Sequence, residues 1–142
     1  MSPFSVILVP VDRSEPSDNA VEAARSLATL SGGTVYLLHV RAREVVRAKF
    51  GASFELESAE EAQALLAKEL GVLGAAAVKV TARVLRAPVE ETARAIVETG
   101  DEVGADIIVM GSRGLSALGA LVLGSTTYKV LHTAKRPVLV VH

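Results

Sequence analysis

The chain alternates short apolar runs with longer segments whose apolar residues recur every three or four positions. Five runs rich in Val, Ile and Leu fall at 6–11, 34–40, 79–85, 106–110 and 137–141. Most are nearly continuous in apolar character, as expected of strands covered on both faces in a parallel sheet. Helical patterns lie between them. Residues 16–30 place Ala20, Ala23, Ala24, Leu27 and Ala28 on one stripe, with Pro16 suited to the first turn and Gly32-Gly33 as the stop. Residues 58–73 put Ala62, Leu65, Leu66 and Leu70 inward, with Glu60 and Glu61 in the first turn. Residues 88–103 put Val89, Ala93, Ile96 and Val97 inward, and residues 125–134 end at Lys135-Arg136-Pro137.

This β-α alternation predicts an α/β fold, an open, doubly wound parallel sheet with right-handed crossovers. Such sheets take ligands beyond the carboxyl ends of the strands, where strand order reverses. If the first and fourth strands flank that point, Asp12 and the turn at 111–114 meet in one crevice. The connection at 41–57 is too long for a tight turn and reads as a mobile flap, a partner contact or a frayed helix start. Neither an internal repeat nor a low-complexity segment interrupts the pattern.

A length of 142 residues predicts one domain, residues 1–142, burying roughly two-thirds of the unfolded surface. Aromatics are only 4% of the chain, so the expected core is Ala, Val, Leu and Ile. The net charge of −1 gives no general attraction to nucleic acid or an anionic membrane. The absence of cysteine excludes disulfides, thiolate metal sites and cysteine nucleophiles, and fits a cytoplasmic location. The opening Met1-Ser2-Pro3-Phe4 lacks the pattern of a signal peptide, and no uncharged apolar run reaches the roughly 20 residues of a membrane span.

The candidate chemistry sits in the last third. Ile107-Ile108-Val109-Met110-Gly111-Ser112-Arg113-Gly114 is followed, nine residues later, by Gly124-Ser125-Thr126-Thr127. Glycines let backbone amides approach an anion, and a helix N-terminus offers unpaired donors and partial positive charge. The pattern therefore suits a phosphate, although two glycines after a strand also make an ordinary turn. Ser125 reads either as an N-cap or as part of a phosphate cradle able to hold Mg²⁺ through oxygen. Asp12, ending the first strand, reads as an acceptor for a ribose or base amine, or as an Asx-type cap for the following helix. Arg113 is the only base between Asp101 and Lys129 and reads as a polyphosphate contact or a solvated side chain. No Lys follows the second glycine turn, so this is not a Walker A loop, and no Gly-x-Gly-x-x-Gly follows the first strand. Gly-x-Ser-x-Gly is also absent. His39, His132 and His142 have no second ligand at metal spacing, so no metal residue and no catalytic residue is assigned.

Together these residues resemble the universal stress protein family over nearly the whole chain. Ile7-Leu8-Val9-Pro10-Val11-Asp12-Arg13-Ser14 is similar to the family's first strand and loop, and Leu37-Leu38-His39-Val40 to its second strand. Val109-Met110-Gly111-Ser112-Arg113-Gly114 with Gly124-Ser125-Thr126 matches the Gly-x2-Gly-x9-Gly-Ser/Thr motif of its ATP-binding branch, and Pro137-Val138-Leu139-Val140-Val141 its closing strand. The resemblance implies a five-stranded parallel sheet in order 3-2-1-4-5, with helices on both faces and ATP between strands one and four, with or without Mg²⁺. Pro10, Val11 and Asp12 would line the adenine–ribose end. Val40 would contact the adenine, and Met110 and Gly111 would border the ribose. Ser112, Arg113, Gly114, Gly124, Ser125, Thr126 and Thr127 would surround the phosphates. It also implies a regulatory, stress-responsive homodimer paired through Val138–Val141, an edge that would otherwise invite aggregation. A slow Mg-dependent ATP hydrolase and a nucleotide-free dimeric scaffold are the alternatives. Two places depart from the family pattern. Arg86-Ala87-Pro88 stands where relatives often carry glycine before the proline, and the loop at 115–123 lacks the basic residue many relatives place there.

Overall fold

A computed structural model describes residues 3–45, 53–55, 57–113 and 123–142. Its elements are β1 (Val6–Pro10), α1 (Glu15–Ser31), β2 (Thr34–Val45), β3 (Ser53–Glu55), α2 (Ala59–Ala75), β4 (Lys79–Pro88), a 3₁₀ turn (Val89–Glu91), α3 (Thr92–Val103), β5 (Ile107–Gly111), α4 (Ser125–Thr133) and β6 (Val138–Val141). β1 lies between β2 and β5, β4 flanks β2, and β6 flanks β5, all in parallel. The five parallel strands thus follow the order 3-2-1-4-5, and the chain reverses direction across the sheet between β1 and β5.

Strand periodicity divides the core into two layers. Ile7, Val9, Val35, Leu37, Ile107 and Val109 face α1 and α2. Leu8, Leu38, Ile108 and Met110 face Ala93 and Ile96 of α3 and Val130 of α4. β1 and β5 are covered on both faces, which is why their sequences are unbroken apolar runs. The run at 79–85 is different. β4 is an edge strand, largely exposed or half-buried, and it continues through Arg86-Ala87 to Pro88 without needing the family's glycine.

A sixth strand departs from the five expected. β2 runs on to Val45, and β3 returns antiparallel against Arg43–Val45. Arg43 pairs with Pro88 on one edge, so β3 occupies the other edge, beyond the end of β1. Part of the 41–57 connection is therefore a short hairpin arm at the carboxyl end of the sheet. A three-residue strand carries too little periodicity to be read in advance. Val89, expected to point inward, is instead 46% exposed, because the 3₁₀ turn delays the start of α3 to Thr92.

Candidate functional site

β1 ends at Pro10, and the next residues form a tight hydrogen-bonded loop. The Asp12 amide donates to Ser17 Oγ at 2.9 Å. Asp12 Oδ1 accepts from the Ser14 amide at 2.8 Å and from the Ser14 hydroxyl. The N-cap of α1 is Ser14, whose side chain accepts from the Ser17 amide. Asp12 therefore makes an Asx-type turn from two residues before the cap. Among the described residues its Oδ2 takes no hydrogen bond, and the side chain lines two neighbouring cavities.

At the end of β5, Gly111 is packed against α1. A Cβ placed there would lie 2.9 Å from the Pro16 carbonyl carbon and the Ser17 nitrogen. Close helix–strand packing thus requires this glycine, whatever ligand the crevice holds. The Gly111 carbonyl accepts from the Thr127 hydroxyl at 2.8 Å, tying β5 to the first turn of α4. Ser112 is buried; its amide donates to Val141 and its carbonyl accepts from the Gly124 amide. The N-cap of α4 is Gly124, not Ser125, and among the described residues no side chain caps this helix. Ser125 occupies the first helical position, and among the described residues the amide donors of the first turn take no partner.

These ends converge on a cavity of about 140 Å³ at the point where strand order reverses. Leu38, Val40, Ile96 and Met110 provide an apolar wall, and the start of α4 with Asp12 and Arg113 provides a polar one. Of the residues singled out above, Pro10, Val11, Asp12, Val40, Met110, Gly111, Arg113, Gly124, Ser125, Thr126 and Thr127 line it. Ser112 does not, because its backbone splices β5 to β6 and α4. Gly114 and residues 115–122 lie outside the described residues. Thr127 lines the cavity with its hydroxyl already committed to Gly111. Ser17, Leu38, Thr92 and Ile96 were not foreseen. Leu38 and Ile96 look like plain core in the sequence, and only the loop's hydrogen bonding brings Ser17 to the wall.

A second, larger cavity of about 550 Å³ adjoins the first, sharing Asp12, Val40, Thr92, Ser125 and Thr126 with it. It adds Arg13, His39, Glu57, Glu90 and Lys129. His39 has an acidic partner that linear spacing hid. Its Nδ1 stands 2.7 Å from the Val11 carbonyl and its Nε2 2.5 Å from Glu57 Oε2, both in buried surroundings. The pair ties the end of β1 to the segment that precedes α2. Among the described residues no group of three or more His, Cys, Asp or Glu is placed to hold a metal ion.

Residues 3–142 match the model of the universal stress protein family. A universal stress protein of Mycolicibacterium smegmatis is 37% identical over 146 residues, covering 96% of this chain and 47% of that protein. The chain thus spans about half the length of that relative. A universal stress protein of Methanocaldococcus jannaschii is 31% identical over 159 residues, covering 97% of this chain and 94% of that one. A solved universal stress protein in complex with cAMP superimposes with a TM-score of 0.75 at 27% identity, covering 99% of this chain and 98% of that chain.

Proposed function

The chain belongs to the universal stress protein family, and on that premise we propose that it binds an adenine nucleotide, ATP in the first instance, in the crevice between β1 and β5. The observation that carries this reading is the division of the inner cavity into two walls. Aliphatic side chains on one side suit the faces of a purine ring, and the start of α4 on the other suits phosphate oxygens. The relative solved with cAMP supports the adenine class. Asp12 Oδ2 would face the sugar hydroxyls, and the hydroxyls of Ser125 and Thr126 are the oxygen donors nearest to hand for a phosphate-bound Mg²⁺.

In the same proposal, residues 1–142 form one universal stress protein domain acting as a cytoplasmic, nucleotide-responsive regulator in stress. A homodimer would form through β6, which ends the path of paired strands and leaves Leu139 42% exposed. Weak hydrolysis is the second reading; against it, the one carboxylate lining the inner cavity, Asp12, spends an oxygen on the Ser14 turn. The third reading, a nucleotide-free scaffold, is opposed by the open first turn of α4.

Acid extraction of the purified protein followed by ion exchange, with calorimetric titration of ATP into the apo form, tests the proposal. Co-purified adenine nucleotide or saturable ATP binding is expected. Clean protein that releases no heat and shows no thermal shift with millimolar ATP would leave the scaffold reading. Metal-dependent release of phosphate that is lost in Ser125→Ala would establish the hydrolase instead.

A further inference from the structure

We propose that Arg13 is an anion-binding residue of this crevice, reaching from the outer cavity to the phosphates of the bound nucleotide. The inference rests on the nucleotide reading above and concerns a residue outside the glycine motif.

It begins with the hydrogen bonds around Glu57. That carboxyl is buried beside His39. A backbone carbonyl only accepts, so His39 Nδ1 carries a proton toward Val11. The 2.5 Å contact between Nε2 and Glu57 Oε2 then holds a second proton, on the ring or on the carboxyl. In either form the pair is neutral as a whole. Glu57 therefore leaves no net negative charge for Arg13 to cancel.

The position of Arg13 agrees with this accounting. Its Nη1 is 3.9 Å from Glu57 Oε1 and 3.5 Å from Glu61 Oε2. Neither contact is a hydrogen bond, and among the described residues Glu57 Oε1 has no hydrogen-bond partner. Glu61 is half-exposed, where an ion pair contributes little. Arg13 itself is 43% exposed and lines the outer cavity together with Asp12, Ser125, Thr126 and Lys129. A guanidinium fork held only by two long ion-pair contacts thus lines the same cavity as Ser125 and Thr126 at the start of α4.

Charge gives the fork its ligand. A triphosphate is polyanionic, and the loop at 115–123 carries no charge. Among the described residues, the cations lining the two cavities are Arg113, Arg13 and Lys129. Of these, Arg13 and Arg113 offer the planar donor pair that fits a phosphate bidentately. Arg13 reaches phosphate by leaving a loose ion pair whose carboxylate is already served by His39.

Calorimetric titration of ATP, ADP, AMP and adenosine into the wild-type chain, Arg13→Gln and Arg13→Lys tests this, with circular dichroism confirming the fold of each. Arg13→Gln should weaken ATP roughly tenfold and leave adenosine unchanged, and Arg13→Lys should recover part of the loss. Unchanged ATP affinity in Arg13→Gln, or an equal loss for all four ligands, overturns the assignment while the nucleotide reading stands. A wild-type chain that binds none of the four removes the nucleotide reading and this inference with it.

Discussion

At the rim of the crevice Glu57 is buried against His39, whereas in the seam between α1 and α2 Glu69 is buried against Asp18 and Lys68. Both carboxyls belong to the stretch from β3 through α2, and both approach the start of α1. Their surroundings handle the buried charge differently. Glu57 shares a proton with the His39 ring across 2.5 Å. Glu69 has the Lys68 ammonium only at 3.9 Å, because that ammonium is hydrogen-bonded to Asp18 at 3.0 and 3.1 Å. Burial, aided by the hydrogen bond and charge of Asp18, pushes the Glu69 carboxyl up to about 7. For Asp18, burial acts upward too, but the hydrogen bonds to Glu69 and Lys68 hold it below the ordinary value. A buried carboxylate next to a donor can be built into a site, while one without a close cation becomes a proton-binding group.

The largest test of this contrast removes the donor. His39→Ala leaves Glu57 buried without its close partner and cuts the tie to the Val11 carbonyl. It should destabilise the chain by about 3–5 kcal/mol in urea denaturation. Adding Glu57→Leu to that background should return much of the loss. A single variant within 1 kcal/mol of wild type, roughly the scale of a surface pair, would show that the rim is no better built than the surface.

Ligand binding sharpens the comparison next. At an ATP concentration 100-fold above its dissociation constant, mass action should stabilise the protein by about 2.7 kcal/mol. Glu69→Gln should keep that gain in full, because Glu69 lines neither cavity. If thermal melts show the ATP gain halved in Glu69→Gln, the seam and the crevice are one coupled unit.

Gly111 packs against the start of α1. Gly111→Ala pushes a Cβ to 2.9 Å from the backbone of Pro16 and Ser17, at the start of the helix that carries Asp18. Overpacking of this kind should cost roughly 2 kcal/mol. Because Ser17 also receives the Asp12 amide, the ATP gain should fall with it. A fully stable Gly111→Ala variant would mean that α1 shifts freely against β5.

Much of the architecture was legible because its signals are local. The doubly covered strands β1 and β5 announce themselves as unbroken apolar runs, and Gly32 ends α1 one residue past Ser31 in a left-handed conformation. β3 was not legible, since Ser53–Glu55 is too short to show a period. At the site, the glycine turns and Asp12 stood out by residue type, and the Asx-type turn of Asp12 was one of its two readings, but the packing reasons of the others were not legible. Gly111 is small for α1, Thr127 is hydroxylated for Gly111, and Gly124 rather than Ser125 caps α4. His39 looked solitary because its partner is 18 residues away, across a connection with no readable pattern. Glu69 carries no signal in the sequence that sets it apart, and only the packing of α2 against α1 turns it inward.

The smallest effect, and the one that isolates the seam, is the pH dependence of Glu69. Its carboxyl titrates near 7 in the folded chain and near the ordinary 4.5 when unfolded. Between those values the folded state holds a proton that the unfolded state has lost. Stability from this group is therefore fully present below about 4.5 and declines as pH rises toward 7, with no further loss above it. Screening at the exposed Lys68 edge reduces the effect, leaving a loss of about 1–2 kcal/mol. Glu69→Gln mimics the protonated side chain. It should match wild type at pH 4.5 and exceed it by that amount at pH 8, measured as the difference in urea midpoints at the two pH values. An equal change of urea midpoint in wild type and Glu69→Gln between the two pH values would mean that the seam does not hold the Glu69 proton in the folded chain.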